Sequence, residues 1–472
     1  MISSSRSALI FTHSVISPAQ HLPFDVLSEI FKYLPDLELA EEAESEVISP
    51  KTGPYILRPA KYPWYLTRIC SAWRYAALYE ARLWSRVHVE VGHRSPSPGK
   101  VELLREYLSR SRNQPLFVSI HCTWVGGAEE NALLSVLFPT SNRWVFFSLH
   151  VLSKCLSTFH ALADSFPNLE TLHLYVAHQG PRTGTTDVHE IFHNAPRLHT
   201  VRFRNSEDRS IFPMPLDQLR VYHGPTSSIP PESGYEWISN LRWCSFAANR
   251  RQTDWILDPN AKVTAPYMRE LSIQERILSV NTVAIFKMLT LPNLEILRIE
   301  STDRARLCPA ITSLLHRSAC ILTELCLDIP DLDLDMTTVL EDTPQVTKLR
   351  LTAKKVLSSF FSPWTYNPET HMEAPCLLQY LEHLDLGRCT FTPHAEITLM
   401  QAIRSRWQVP QTSTLSADKY FGGPSVHSVV RLRSFQVPYK FQRTKRSQKK
   451  DLKVWKAEGL DIQFGPGSLN RL

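Results

Sequence analysis

Glycine is scarce in this 472-residue sequence, at 15 residues, whereas proline reaches 33. So little glycine excludes collagen-like and glycine-rich tracts and disfavours glycine-dependent nucleotide folds. Neither G-x-x-x-x-G-K-[ST] nor G-x-S-x-G occurs, and Gly465-Pro466-Gly467 reads as a turn rather than a phosphate cradle. No apolar run reaches the roughly 18 residues that a membrane-spanning helix needs, and there is no Asn-x-Ser/Thr acceptor. The stretch MISSSRSALIFTHSVISPAQ lacks the basic region and unbroken apolar core of a secretory signal. The nine cysteines are scattered without a C-x-x-C pair, which fits reduced thiols better than a disulfide framework or a structural zinc site. These absences predict an intracellular protein of the cytoplasm and/or nucleus with no membrane partner.

Charge of one sign is also in short supply. The 52 Lys and Arg against 46 Asp and Glu leave +6, too little in a chain of this length to mark a nucleic-acid-binding protein. The excess is local: Arg431 to Lys456 holds ten basic residues and one acidic residue. That stretch could act in nuclear import or hold an anion. Leu452, Trp455, Leu460 and Ile462 within and after it fit a final capping helix and strand, the reading preferred here.

What is present suffices for a large core: 43% of the residues are apolar and 21% charged. From Phe24 the apolar positions Val26, Leu27, Ile30, Phe31 and Leu34 recur at helical spacing, with Asp25 in the first turn and Pro35 predicted to close the helix. An acidic, proline-containing insertion at 36–62 reads as a loop. Beyond Pro63, Leu66, Ile69, Cys70, Trp73 and Ala77 mark a second helix, Leu83-Trp84 a short third turn, and Val87, Val89 and Val91 an alternating strand. Residues 92–100 (GHRSPSPGK) form a turn-rich linker.

From there the spacing L-x-x-L-x-L, with other apolar residues allowed, recurs eleven times. It falls at Trp144/Phe147/Leu149, Leu169/Leu172/Leu174, Leu198/Val201/Phe203, Leu216/Leu219/Val221, Leu241/Cys244/Phe246 and Met268/Leu271/Ile273. It continues at Leu294/Leu297/Ile299, Leu322/Leu325/Leu327, Val346/Leu349/Leu351, Leu381/Leu384/Leu386 and Leu432/Phe435/Val437. The spacing is mostly in the range of about 20 to 29 residues that characterises leucine-rich repeats. Each repeat is expected to supply one parallel strand and an outer helix or turn, since no single repeat could bury its apolar face alone. Longer loops are expected near His223–Gly234, Ser358–Pro375 and Gln408–Ser428.

The segment LPFDVLSEIFKYLP, followed by LTRICSAWRYAALYEARLWSRVHV, resembles an F-box. With the repeats behind it, the chain is similar to the F-box proteins with carboxyl-terminal leucine-rich repeats, a family with a type expanded in fungi. The resemblance implies an α/β fold: an amino-terminal helical F-box-like module at 20–91, the linker, and an irregular leucine-rich-repeat solenoid at 101–472 with parallel strands on its concave face. It also implies the function of a non-enzymatic substrate receptor for a cullin-RING ubiquitin ligase. Leu22, Pro23, Leu27, Ile30, Phe31, Leu34 and Pro35 would then meet a Skp-type adaptor, which joins the chain to the cullin, and Ile69, Cys70, Trp73, Leu83 and Trp84 match the second half of the motif. The 36–62 insertion is longer than in a compact F-box. The alternative is a repeat scaffold without a ligase connection, whose amino-terminal helices only cap the solenoid.

Side chains alternate along a strand, so the residue between the last two apolar positions of each repeat should face the partner side. These residues are His173, Arg202, Arg220, Ser245, Ser272, Arg298, Cys326, Arg350 and Asp385. Four arginines among them suggest an acidic or phosphorylated protein substrate, because the guanidinium fork suits carboxylate and phosphate. A third reading rests on His189, Glu190 and His193, which match H-E-x-x-H, the zinc-hydrolase pattern that needs both imidazoles on one helix face. His199 stands where a third ligand would fall, but Pro196 replaces the glycine of that longer pattern, and the repeat already accounts for these residues. No catalytic residue, cofactor or metal is therefore expected.

Overall fold

The first helix, α1 (Phe24–Glu44), is longer than its apolar stripe predicts and continues through Pro35. Proline removes one helical hydrogen bond, but the following run LELAEEAE consists largely of strong helix formers that carry the helix onward. Residues 36–44 are therefore helical rather than part of a loop. In this computed structural model the described residues are 22–44, 63–92, 96–127, 130–177, 188–206, 211–225, 234–248, 261–275, 281–301, 304–367, 377–408, 429–438 and 446–465. Side chains from Pro35 to Glu44, and the rest of the insertion at 45–62, lie outside this description. The chain divides into a first unit ending at Phe147 and a second beginning at Ser148.

In the first unit the predicted second helix is split. A 3₁₀ turn at Leu66–Arg68 precedes α2 (Ser71–Tyr79), and Cys70 caps the helix with an extended backbone. Glu80 then accepts a hydrogen bond from the Arg82 amide and starts the 3₁₀ turn Ala81–Trp84. Leu27, Phe31, Leu83 and Trp84 are fully buried. Phe31 meets Trp73 edge to face with ring centroids 5.3 Å apart. Trp84 meets Trp64 at 4.8 Å and Tyr107 at 5.2 Å, and its indole N–H donates to the Ala77 carbonyl at 2.8 Å. The Arg110 guanidinium lies over both Trp64 and Trp84, at 4.7 and 4.6 Å. This aromatic cluster is the core of the unit, and each large ring adds roughly 1.5–3 kcal/mol through burial.

Strand β1 (Arg86–Val91) follows the expected alternation, with Val87, Val89 and Val91 buried. It pairs in parallel with β2 (Leu116–Cys122) through α3 (Pro98–Arg110), so residues 98–100 open a helix instead of belonging to a linker. Helix α4 (Ala132–Leu137) is capped by Asn131, whose side chain accepts from the Leu133 amide. The chain then passes from the first unit to the second within β3 (Trp144–Leu152).

The second unit is mixed α/β and built on a large parallel sheet. Among its described residues the sheet strands run β4 (Thr171–Ala177), β5 (Thr200–Ser206), β6 (Val221–Gly224), β7 (Trp243–Ala248), β8 (Glu270–Glu275) and β9 (Ile296–Glu300). They continue as β10 (Glu324–Asp328), β11 (Lys348–Thr352), β12 (His383–Asp385), β13 (Ser434–Val437) and β14 (Asp461–Phe464). Each pairs in parallel with its neighbours in chain order. In register across them stand Leu172, Val201, Tyr222, Cys244, Leu271, Leu297, Leu325, Leu349, Leu384, Phe435 and Ile462, all buried. This continuous apolar row is what the L-x-x-L-x-L spacing encodes.

One repeat is framed differently from the expectation. Its strand begins at Val221, and Tyr222 rather than Leu219 or Val221 stands opposite Val201. The triplet is therefore Leu219/Tyr222/Gly224, because the tyrosine ring takes the inward place of an aliphatic residue. Its hydroxyl reaches the Pro225 carbonyl at 2.7 Å, so the buried polar atom is satisfied. Arg220 becomes the residue leading into the strand, its amide bonded to the His199 carbonyl as the Arg242 amide is bonded to the Arg220 carbonyl.

Connections differ along the sheet. Among the described residues those leading to β5, β6 and β7 hold 3₁₀ turns, at Glu190–Phe192, Leu216–Gln218 and Glu236–Asn240. Later connections carry α5 (Asn281–Met288), α6 (Arg304–Ser318), α7 (Thr337–Glu341), α8 (Ser358–Phe361) and α9 (Pro393–Trp407). Aromatic residues of the connections pack on inward strand rings: Phe212 on Phe203 at 5.6 Å and Trp237 on Tyr222 at 5.2 Å. The expected loop at Ser358 is instead α8 and a 3₁₀ turn, ordered by the burial of Phe360, Phe361 and Trp364. The remaining predicted loops fall largely on 226–233, 368–376 and 409–428, outside the described residues. At the end of the unit α10 (Arg446–Ala457) and β14 bury Leu452, Trp455, Leu460 and Ile462, while Lys450, Lys453 and Lys456 stay exposed. No helix among the described residues is long and apolar enough to cross a membrane.

Candidate functional site

The residues predicted to meet an adaptor separate into two sets within the first unit. Leu27, Phe31, Leu83 and Trp84 have essentially no exposed surface. They lie inside the unit, where they hold its helices together, rather than on its surface. Leu22, Leu34, Cys70 and Trp73 are half-buried, whereas Pro23, Ile30 and Ile69 are exposed, and the Pro35 side chain lies outside the description. The stripe on α1 is wider than the face it buries. Val26, Ile30 and Tyr33, at helical spacing, remain 43%, 41% and 64% exposed, and Ile69 is 41% exposed. Among the described residues these three apolar side chains share one exposed helix face, and Tyr75 and Tyr79 of α2 are exposed as well, at 64% and 53%.

The predicted strand-face residues of the second unit also separate, and here the difference is electrostatic. Arg298 lies between Glu270 and Glu324 of the flanking strands and pairs with both, at 2.7 Å to Glu324. Arg350 pairs with Asp385 of the next strand at 3.0 Å. Both guanidinium groups are thus already neutralised by the sheet. Arg220 is absent from the row altogether, for the register reason given above. Its place is taken by His223, which sits opposite Arg202 on one side and Ser245 on the other.

Around Arg202 neither in-register neighbour is acidic. His173 and His223 flank it in register, and Arg204 lies two residues further along the same strand, on the same face. Arg202 is half-buried and its guanidinium lies over the Trp243 ring at 5.4 Å. Among the described residues no carboxylate pairs with Arg202 or Arg204. Burial, together with the positive field of Arg202 and Arg204, lowers His173 to about 3 and His223 to about 4. Burial and Arg204 push the Arg202 guanidinium in the same direction. At neutral pH both histidines are therefore uncharged, beside two cationic forks. Alternation along β5 placed Arg204 within reach of sequence reasoning, but His223 was hidden by the misplaced repeat frame.

The H-E-x-x-H residues do not converge. Glu190–Phe192 is a single 3₁₀ turn, too short to carry two imidazoles on one face, and His189 precedes it in an extended conformation. His189 Nδ1 lies 3.1 Å from His160 Nε2, and its ring stacks on Phe212. His193 donates to the Glu190 carbonyl and lies 3.4 Å from Asp164, while His199 sits against Thr200. Among the described residues no group of three or more His, Cys, Asp or Glu side chains could hold a metal ion. No protein-family model matches the chain, and no curated protein matches it.

Proposed function

We propose that this chain is a substrate-recognition adaptor of a cullin-RING ubiquitin ligase. Its F-box-like segment at 20–91 would bind a Skp-type adaptor, and its leucine-rich-repeat-like solenoid at 101–472 would capture a protein substrate. Ubiquitin transfer is then catalysed by the partners, and this chain contributes proximity. The observation that carries the reading is the exposed Val26, Ile30 and Tyr33 face on the helix that bears the Leu-Pro motif. The succession of parallel strands, one per repeat, supports the second half by providing a long ligand-accessible sheet face.

The competing reading is a repeat scaffold with no ligase connection. It is favoured by the full burial of Leu27, Phe31, Leu83 and Trp84, which would serve a structural cap equally well. A pull-down of the purified full chain against a Skp-type adaptor and cullin separates the two, with a Val26→Asp/Ile30→Asp variant alongside. Capture by the parent and loss in a variant of unchanged melting temperature is the expected result. A folded parent that captures neither protein establishes the scaffold.

A further inference from the structure

We infer that the sheet face formed by β4, β5 and β6 is an anion-binding site, built from Arg202, Arg204, His173 and His223, for a phosphorylated or glutamate-rich segment of a protein partner. This names the ligand chemistry of the surface assigned above to substrate capture, and rests on that reading only for the partner being a substrate.

Register supplies the geometry. His173, Arg202 and His223 occupy successive strands at one level of the sheet, and strands about 4.8 Å apart place the outer two roughly 10 Å from each other. Arg204, exposed, stands one same-face step away from Arg202 on β5. The two guanidinium forks present donors over an area that fits a tetrahedral phosphate or a pair of carboxylates. Trp243 limits one side of Arg202 by stacking on it, which restrains the guanidinium without neutralising it.

The contrast within the same sheet makes the site specific. Further along, each of the two predicted arginines has an acidic partner from an adjacent strand: Glu270 and Glu324 for Arg298, Asp385 for Arg350. The Arg202 and Arg204 pair has no such partner among the described residues, so its counter-charge is left for a ligand to supply. A peptide is favoured over a nucleic acid because the positive region spans only the three strands β4 to β6, too short a track for a longer polyanion.

The test uses the full chain and four fluorescent probes: a doubly phosphorylated phosphoserine peptide, its unphosphorylated form, a glutamate-rich peptide and a single-stranded oligoribonucleotide. Inorganic phosphate serves as competitor. Binding of the phosphoserine or glutamate peptide at least tenfold tighter than the neutral peptide, weakened by phosphate, is the expected result, and the tighter of the two identifies the source of the anion. Arg202→Gln/Arg204→Gln should reduce that affinity at least tenfold, while Arg433→Gln, at an exposed position on the lead-in to β13, should not. Arg204→Gln alone keeps the test valid if the half-buried Arg202 is needed for folding. Equal affinity for all peptides, unchanged affinity in Arg204→Gln, or preferential binding of the oligoribonucleotide would overturn the inference. Adaptor capture measured on the same proteins reports separately on the ligase reading: it persists if only the anion site is wrong, and peptide binding persists if only the ligase reading is wrong.

Discussion

Gly224 lies so close to Phe203 that a β-carbon added to the glycine would stand 2.6 Å from the Cβ of the phenylalanine and 3.3 Å from the Tyr222 hydroxyl. Other repeats place Leu, Phe, Ile or Val at this position in the sheet; here the Tyr222 ring and the Phe203 side chain leave no room for one. The third apolar position of the repeat is vacant because the second is oversized.

Gly224→Ala is therefore expected to destabilise the second unit by about 1–3 kcal/mol, the cost of overpacking a closed core. Urea unfolding followed by tryptophan fluorescence measures it. The double variant Phe203→Leu/Gly224→Ala should recover part of the loss, and full additivity of the two changes would show that they do not share this space.

Arg406 is a buried cation whose guanidinium donates to the carbonyls of Trp364, Leu378 and Leu377. It ties α9 to a turn in which Leu378 holds a positive φ of 55°. Arg406→Met removes the donors and leaves buried acceptors unsatisfied, so a loss of about 3 kcal/mol or more is expected. Arg406→Lys should restore only part of it, since an ammonium cannot span three carbonyls with the planar fork. Thermal melts of the three proteins decide the point, and equal stability of parent and Met variant would contradict it.

Acid should weaken the second unit through His173 and His223. Both have folded-state values, about 3 and about 4, below the ordinary 6.5. The unfolded chain thus binds more protons between those limits, and stability rises with pH across that window. The contribution is complete above pH 6.5 and is lost as the pH falls toward 4 and then 3. From pH 6.5 to 5 the loss is about 1–2 kcal/mol per histidine. Denaturant titrations at pH 7 and pH 5 should show a smaller drop for His173→Gln/His223→Gln than for the parent; identical drops would remove these residues as the cause.

On α1, neighbouring substitutions should give opposite outcomes. Leu27→Asp places a carboxylate in the sealed aromatic core and is expected to unfold the first unit, whereas Ile30→Asp, on the exposed face, should leave its melting temperature within about 1 °C. Circular dichroism melts check both, and the comparison decides which substitution is fit for a binding experiment. A Leu27→Asp protein as stable as the parent would show that the buried assignment of this helix face is wrong.

The parallel order of the strands was legible in the sequence, because burying one row of side chains between successive repeats demands apolar residues at fixed spacing. Leu172, Leu271, Leu297, Leu325 and Leu384 keep that spacing regardless of the length of the connections. The closing helix and strand were legible for the same reason, in Leu452, Trp455, Leu460 and Ile462. Composition and periodicity cannot separate a wide apolar stripe into its halves. Only the packing of Trp73 and Trp84 settles that Leu27 and Phe31 turn inward while Val26 and Ile30 do not. The frame of the Tyr222 repeat was missed because tyrosine belongs equally to a core and a surface, and its hydroxyl became compatible with burial once the Pro225 carbonyl stood within reach.

Charge pairing is the property most dependent on tertiary structure. The sequence determined that arginines would line one face of the sheet, since alternation along each strand follows from backbone geometry. Which of them is paired was decided by cross-strand register, which sets Glu270 and Glu324 beside Arg298 and Asp385 beside Arg350 and places His173 and His223 opposite Arg202. These partners lie more than 20 residues apart in the chain. An ion pair falls off with distance in space, so no pattern along the sequence contains it until the strands are side by side.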